Sequence, residues 1–378
     1  MNDAVALADD RPDAVAATSP RAGLGDLLIR SILPLVLALI AGGALVAALG
    51  HNPFSFYLDI WRGGIELSAW QNSLNRAATL VPIALGLIVV FRANIWNLGY
   101  QGQFLLAAAM VAGLGPHLQR HLSPTLSLIV LFLAAAVSGA IWTLIPAILK
   151  AWYQTNEIIT TLMMTFIGVS LASILIKGPF QDFTSNVPQT TVMSLDDMLP
   201  TISGTLTHVG VVVAAVLVLI VHFVTTRTSF GLKLQVLGAN PRAAVHVGLD
   251  PKRVILSAFV CSGALIGVAA AIEVLGINGY VRADWNPAYG DAVIPFVFLA
   301  RLNALAVVPY LLFYSVLSIG GDNAAQNSGL PVDFLLVIVG LTLLFMVFIE
   351  YLGRNRALGN SYLPPGLRRS LRVRGAAP

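Results

Sequence analysis

The stretch GLKLQVLGANPRAAVHVGLDPKRV, residues Gly231–Val254, is the long polar interval in the otherwise apolar second half of this 378-residue chain. Its centre predicts a short helix, because Asn240 suits the N-cap and Pro241 suits the first helical position. Gly248 is suited to ending the turn. Long apolar runs flank the interval on both sides. The pattern therefore predicts a capped helix that lies outside a membrane, between two spans.

Composition points to a membrane protein. Hydrophobic residues make up 57% of the chain and charged residues only 11%, against about 25% in soluble domains, and the mean hydropathy is +0.81. One cysteine excludes an internal disulfide and a cysteine-based metal site. The net charge is +4, but the basic residues alternate with apolar runs instead of forming one patch, which disfavours nucleic acid as a partner.

The apolar runs predict an all-α, polytopic transmembrane bundle of about ten spans, each long enough to cross a hydrocarbon core of about 30 Å. The predicted spans are residues 27–49, 74–91, 100–116, 124–149, 157–176, 207–226, 253–275, 288–302, 305–321 and 332–352. Residues 1–26 are predicted to be a disordered tail, 27–352 the transmembrane domain with its polar loop at 227–253, and 353–378 a basic tail. Most of the 22 lysines and arginines then fall on the side of both tails and the polar loop, which predicts that this side is cytoplasmic.

The chain has no sequence signature of an enzyme. It has no Gly-x-x-x-x-Gly-Lys-Ser/Thr phosphate loop, no His-Glu-x-x-His and no Gly-x-Ser-x-Gly. In a chain of many apolar spans, this absence favours translocation of a solute over catalysis.

An amide-rich segment, FRANIWNLGYQGQFLLAAA at Phe91–Ala109, adjoins an apolar span. Amides inside a bilayer are costly unless they find partners or line a wet cavity. Asn97, Gln101 and Gln103 are therefore predicted to line a substrate pathway, and hydrogen bonds between helices are the alternative. A second segment, TNEIITTLMMTFIG at Thr155–Gly168, places Glu157 and Thr161 on one helical face that is predicted to point into the bundle and to line the same substrate pathway. Glu157 also suits the positive end of the helix dipole, which is a purely structural alternative.

A short sequence pattern is repeated in the two halves of the chain. Asn97-x-x-Tyr100-x-Gly102 is answered by Asn286-x-x-Tyr289-Gly290-Asp291. Transporters often build their substrate site from paired broken helices, so the two segments are predicted to face each other. This hypothesis adds Asn286 and Asp291 to the pathway.

Two sequence motifs resemble those of a known family. Leu-Gly-Ala-Asn-Pro-Arg-Ala-Ala-Val-His-Val-Gly-Leu in the polar loop resembles the loop with which permease subunits of ribose-, branched-chain-amino-acid- and nucleoside-type ABC transporters contact their ATPase. Asn-Leu-Gly-Tyr-Gln-Gly-Gln-Phe-Leu-Leu resembles Asn-Ile-Gly-x-Glu-Gly-Gln of the nucleoside-type branch, with Gln101 where that branch commonly has Glu. The order of landmarks matches from about Asn72 to Leu352, and the run from Phe298 to Leu305 departs from the family's glycine-rich spelling.

The resemblance implies an ABC importer permease in the bacterial plasma (inner) membrane, with both termini cytoplasmic. It implies a second permease subunit, identical or paralogous, separate ATP-binding cassette subunits and an extracytoplasmic solute-binding protein, for which residues 177–207 offer a landing surface. No cofactor is expected in this chain, since ATP belongs to the partner. The 239–248 loop would contact the ATPase through Asn240, Pro241, Arg242, Ala243, Ala244 and Gly248.

For the solute, the nucleoside-type spellings favour a nucleoside or a simple sugar. Branched-chain amino acids rank behind them, because no membrane-embedded ion pair is evident that could hold a zwitterion. An ion-coupled secondary transporter is the alternative mechanism, with Glu157, Glu273 or Asp291 as the coupling carboxylate.

Overall fold

The computed structural model of the protein describes residues 24–66, 68–331 and 334–357. These residues form thirteen α-helices. They are α1 (Leu24–Ala48), α2 (Pro53–Ile65), α3 (Ala69–Arg92), α4 (Tyr100–Gln119), α5 (Pro124–Tyr153), α6 (Glu157–Lys177), α7 (Gly210–Arg227), α8 (Ser229–Ala239), α9 (Pro241–His246), α10 (Pro251–Glu273), α11 (Tyr289–Leu299), α12 (Val307–Ser328) and α13 (Phe334–Ala357). A 3₁₀ turn at Leu195–Asp197 and a π-helical turn at Val274–Asn278 complete the helical structure. Apart from the ends of α1 and α13, the predicted tails at 1–26 and 353–378 lie outside the described residues.

Six of the described helices are long and apolar enough to cross a membrane: α3, α5, α6, α7, α10 with its π-helical turn, and α13. Each of the ten predicted spans falls on an α-helix, so the all-α polytopic bundle is confirmed. The number of ten spans stays a prediction, because α1, α4, α11 and α12 do not meet the same criteria of length and apolarity.

Helix α3 forms the centre of the bundle. In its apolar window 89% of the residues are buried, against 22% in α5 and 28% in each of α6, α7 and α13. It packs against α7, α10, α11 and α12. The outward faces of α5, α6 and α7 carry large exposed apolar side chains such as Leu133, Phe166 and Leu219, as expected where helices face lipid.

The crossing of α5 and α10 depends on glycine. A Cβ on Gly263 would collide with the backbone oxygen of Gly139, and a Cβ on Gly267 would collide with that of Ala135. Small residues allow helix backbones in membranes to approach closely, where dispersion and weak polar contacts replace the hydrophobic effect. This crossing fixes α10 in the centre of the molecule, beside the polar segments described next.

Candidate substrate pathway and coupling surface

The chain unwinds between α3 and α4, within the amide-rich segment. Asn94 adopts a left-handed conformation with φ of 55°, and the helix resumes only at Tyr100. The side-chain Nδ2 of Asn97 donates to Ser262 Oγ at 3.0 Å. Ser262 lies at the middle of α10, so the unwound segment reaches the middle of the bundle and α4 begins there.

Asn97 and Gln103 are both fully buried and bind each other. Gln103 Nε2 donates to Asn97 Oδ1 at 2.9 Å, and Asn97 Nδ2 donates to Gln103 Oε1 at 3.2 Å. Asn97 Oδ1 also accepts the backbone N–H of Gly99 at 3.1 Å. Buried amides that are satisfied in this way stabilise an unwound backbone. In this conformation the two amides support the segment and do not face open space.

The polar face of α6 supports the same segment. Thr161 Oγ1 accepts from the backbone N–H of Leu98 at 3.1 Å, and Thr165 Oγ1 donates to the Leu98 carbonyl at 2.9 Å. Both threonines are buried, so this face points into the bundle as the periodicity predicts. Glu157 lies at the start of the helix, where Lys150 Nζ approaches its Oε2 to 2.8 Å. The Glu157 carboxylate is therefore compensated by a lysine.

The two segments that share the repeated pattern, at residues 97–102 and 286–291, meet at the start of α11. Tyr100 donates from its hydroxyl, and Gln101 from Nε2, to the two carboxylate oxygens of Asp291. Gly290 lies against the Tyr100 ring, and a Cβ there would overlap it. Asp291 is exposed, and Asn286 is an exposed turn residue whose Oδ1 accepts the backbone N–H two residues further on. Tyr100, Gln101 and Asp291 are called the Asp291 cluster below.

A second polar cluster was not predicted from the sequence. Glu273 is 1% exposed and forms an ion pair with Arg76 at 3.2 Å. Thr79 Oγ1 donates to Glu273 Oε2 at 2.8 Å, and the Tyr289 hydroxyl donates to Oε1 at 2.8 Å. Arg76 also stacks its guanidinium over the Tyr289 ring, 4.9 Å from the centroid. These residues form the Glu273 network.

The expectation that the membrane region holds no evident ion pair is therefore wrong. Arg76 lies inside the predicted span 74–91, and Glu273 lies inside the predicted span 253–275. Two opposite charges in separate apolar runs were the available signal, because ionisable residues inside a bilayer pair with each other.

Residues 177–207, which the sequence predicts to be extracytoplasmic and which are called the external segment below, are attached to the π-helical turn that follows Glu273. The backbone N–H of Leu199 donates to the Leu275 carbonyl at 2.8 Å, and that of Thr190 donates to the Val281 carbonyl at 3.0 Å. Two backbone hydrogen bonds therefore join the external segment to the part of the chain that leads into α11.

The outward face of the external segment combines apolar and acidic residues. Phe183 and Leu195 are 84% and 86% exposed. Beside Phe183, the carboxylate of Asp182 accepts from the Thr184 backbone N–H at 2.9 Å and from its hydroxyl at 2.6 Å. These hydrogen bonds lower the pKa of the Asp182 carboxyl.

The central polar loop folds as its cap residues predict. Asn240 Oδ1 accepts from the backbone N–H groups of Arg242 at 3.0 Å and Ala243 at 3.1 Å, and Pro241 is the first residue of α9. Gly248 follows the helix with φ of +77°. The predicted cap, start and end of this helix are confirmed.

Helix α9 presents apolar side chains to solvent. Ala244 is fully buried, whereas Val245 and Val247 are 57% and 68% exposed. The preceding helix α8 was not predicted, and it lies against the end of α3: a Cβ on Gly238 would collide with the Arg92 carbonyl oxygen. Through α8, the surface of α9 is in packing contact with α3 and with the unwound segment that follows it.

The apolar bundle, its central unwound segment and the capped helix outside it define a polytopic membrane protein with the architecture of a transporter. Residues 70–347 match the family described as branched-chain amino acid transport system / permease component. The chain belongs to this family of ABC transporter permeases. It is therefore a membrane translocation component, and the family works in general with ATPase and binding-protein partners.

Three relatives match nearly the whole chain. The glucose ABC transporter permease protein of Haloferax volcanii is 33% identical, with 86% of this chain and 88% of the relative covered. The guanosine ABC transporter permease protein of Bacillus subtilis is 26% identical, with 84% and 92% covered. The nucleoside ABC transporter permease protein NupB of Lactococcus lactis is 23% identical, with 85% and 90% covered. No solved structure shows a significant match.

Proposed function

We propose that this chain is the permease subunit of an ABC importer for a nucleoside or a simple sugar. The observation that carries the proposal is the Asp291 cluster, in which a carboxylate, an amide and a phenol meet where α4 and α11 both begin. Hydroxyl groups of a sugar ring can donate to Asp291 and accept from Gln101. The named solutes of the relatives in Haloferax, Bacillus and Lactococcus, which are glucose, guanosine and nucleosides, support this chemistry.

Within this proposal, the pathway residues have two roles. Gln101, Asn286 and Asp291 are exposed or partly exposed and contact the solute. Asn97, Gln103 and Thr161 are buried and hold the unwound segment in place, because their polar atoms are bonded to one another or to its backbone. The mutual hydrogen bonds of the Asp291 cluster then close the path when no solute is present, and a solute replaces them.

Helix α9 is the proposed contact with a separate ATP-hydrolysing subunit. A short exposed helix with two exposed valines and an exposed arginine, Arg242, suits insertion into a groove of a partner. The ATPase can drive transport only if it binds two states of this loop differently. The packing of α8 against α3 offers a route from α9 to the unwound segment.

The remaining parts of the assembly follow from the same proposal. The chain lies in the bacterial plasma membrane with both termini cytoplasmic, beside a second permease subunit. An extracytoplasmic binding protein docks on the external segment, whose backbone bonds to the π-helical turn connect the docking surface to α11.

The alternatives are less well supported. An ion-coupled mechanism needs a carboxylate that can exchange its cation, but Glu157 is paired with Lys150 and Glu273 with Arg76. Asp291 alone is exposed. A zwitterionic amino acid could use the Arg76–Glu273 pair only by breaking it, since Glu273 also accepts from Thr79 and Tyr289.

Uptake of radiolabelled nucleosides and sugars tests the proposal, in cells that carry the chain with its ATPase and binding protein. Asp291→Asn should lower uptake about 10- to 100-fold, since it removes a hydrogen bond to a charged group. Asp284→Asn is the matched control, because Asp284 is an exposed carboxylate outside the cluster. Mutation of the ATPase phosphate-loop lysine should abolish uptake. Uptake that survives that mutation and collapses with the proton gradient would instead assign the mechanism to a coupling carboxylate.

A further inference from the structure

An open groove of about 490 Å³ runs between α3, α7 and α12. All of its lining residues are apolar, and alanines such as Ala77, Ala78 and Ala214 form its floor. Leu219 and Leu305 lie on its edges and are 63% and 45% exposed. Helices α3 and α7 are long and apolar enough to cross a membrane, so an open groove between them with a wholly apolar lining suits lipid better than water.

Three arginines lie on the elements that form the groove, on the α9 side: Arg92 ends α3, Arg227 ends α7 and Arg301 lies in the turn before α12. Arg92 donates from Nη1 to the Thr225 carbonyl at 2.8 Å and from Nε to the Leu302 carbonyl at 3.0 Å. One guanidinium therefore holds together the end of α7, which carries Arg227, and the turn that carries Arg301. Arg227 and Arg301 are both exposed. The turn continues directly into Leu305 at the groove's edge.

The walls of the groove contain no acid to balance these charges. The chain has no Asp or Glu between residues 67 and 156, between 198 and 249, or between 292 and 321, and these ranges include every residue that lines the groove. Among the described residues, neither Arg227 nor Arg301 forms an ion pair. The groove is thus an apolar trough with two guanidinium groups beyond its lining: Arg227 lies eight residues past Leu219 on α7, and Arg301 lies four residues before Leu305.

We infer that this groove binds a phospholipid with an anionic headgroup, its acyl chain in the trough and its phosphate at Arg227 and Arg301. Inside a bilayer the hydrophobic effect does not select among lipids, because their tails are as apolar as the groove. A lipid acyl chain that fills the groove restores the dispersion contacts that an empty groove lacks. The selection comes from the headgroup, because guanidinium groups bind phosphate oxygens strongly and basic sites beside spanning helices attract anionic lipids.

A helix of a second subunit is the competing occupant. Such a helix would bury Arg227 and Arg301 without a partner on this chain, and a buried unpaired charge is strongly unfavourable. A phosphate neutralises both arginines at the membrane surface. The charge of these two arginines therefore favours the lipid.

Native mass spectrometry of the purified full chain tests the inference, with phosphatidylglycerol and phosphatidylcholine of identical acyl chains as probes. Wild type should retain phosphatidylglycerol preferentially. Arg227→Gln and Arg301→Gln should each weaken that binding about fivefold and leave phosphatidylcholine unchanged. Ala215→Phe should weaken binding of both lipids, because Ala215 lines the groove and is exposed, so the ring enters the trough. Lys177→Gln and Leu133→Phe, both at exposed positions away from the groove, are the matched controls.

Two results would overturn the inference. Equal retention of the two lipids by wild type would remove the headgroup as the source of selection. Unchanged lipid binding in Ala215→Phe, together with a shift from dimer to monomer, would assign the groove to a second copy of the chain. A salt titration tests the inference on wild type alone and so does not depend on the folding of any variant. The preference of wild type for phosphatidylglycerol over phosphatidylcholine must fall between about 0.1 and 1 M salt, because ions screen the charges of the arginines.

Discussion

Arg76 of α3 and Glu273 of α10 lie 197 residues apart in sequence and form an ion pair of 3.2 Å. The carboxylate also accepts from Thr79 and from Tyr289, the first residue of α11, so one buried side chain ties three helices together. The π-helical turn that follows Glu273 is bonded to the external segment. The Glu273 network therefore connects the external segment with the helix that carries Asp291.

Removal of either charge of this pair should destabilise the protein strongly. We expect Glu273→Ala to lower the free energy of unfolding by about 3–5 kcal/mol, because Arg76 is left with an uncompensated charge. Replacement of both residues by methionine should cost less than either single change. Unfolding in mixed micelles by a denaturing detergent measures the effect. The exposed pair Arg282–Asp284 provides the control, where Asp284→Ala should have little effect because solvent screens the pair.

A methyl group at Gly290 should separate α11 from α4. Gly290→Ala places a Cβ inside the Tyr100 ring, and overpacking of this kind costs about 1–3 kcal/mol. Uptake should fall as well, because Asp291 moves away from Tyr100 and Gln101. The second change Tyr100→Leu should restore much of the stability in Gly290→Ala but not the uptake, since it removes the hydroxyl that bonds Asp291. Equal stability of Gly290→Ala and wild type would show that the two helix ends are not packed together.

Local signals in the sequence predicted the parts of the fold that depend on a few adjacent residues. Asn240, the predicted N-cap, caps α9 through bonds to residues only two and three positions ahead. Asn156 caps α6 in the same way. A cap side chain and the first turn of its helix are adjacent in the chain, so the local sequence is enough to predict the capping hydrogen bonds. Helix α8 has no side-chain cap bond at Thr228, which explains why its start was not recognised.

Long-range partners decided the rest of the candidate site. The amide-rich segment predicts polar side chains along a pathway, but its sequence alone does not show that Asn97 is buried and Gln101 partly exposed. Asn97 is buried because Ser262, 165 residues further on, is its partner, whereas Gln101 reaches Asp291 at the start of α11. The Arg76–Glu273 pair was missed for the same reason: each charge is visible in its own span, and only the packing of α3 on α10 brings them together.

The glycine crossing of α5 and α10 should tolerate no side chain. A Cβ on Gly263 meets the Gly139 backbone oxygen, which cannot rotate away as a side chain could, so we expect Gly263→Ala to lower the free energy of unfolding by about 1–3 kcal/mol. Gly340→Ala is the matched control: Gly340 lies in α13 with open space around it, and alanine favours helix there by about 0.5–1 kcal/mol. Thermal unfolding of both variants in the same detergent makes the comparison. Similar melting temperatures would mean that the two helices do not approach as closely as described.

Loss of the α9 cap should uncouple the ATPase without unfolding the bundle. In Asn240→Ala the backbone N–H groups of Arg242 and Ala243 lose their acceptor, which costs about 1 kcal/mol in a helix of six residues. The loss is local, because α9 is largely exposed and its unfolding leaves the core intact. We expect a melting temperature close to that of wild type, together with reduced uptake and weaker co-purification of the ATPase.

Two further variants separate the cap from the contact surface. Asn240→Asp retains a side-chain acceptor at the N-cap, so uptake should remain near that of wild type. Arg242→Glu keeps the cap, because Arg242 takes part through its backbone N–H, and reverses the charge of an exposed side chain. It should detach or uncouple the ATPase while the chain still inserts into the membrane. Normal uptake in both Asn240→Ala and Arg242→Glu would exclude α9 as the coupling element, because neither its order nor its charge would then matter to the ATPase.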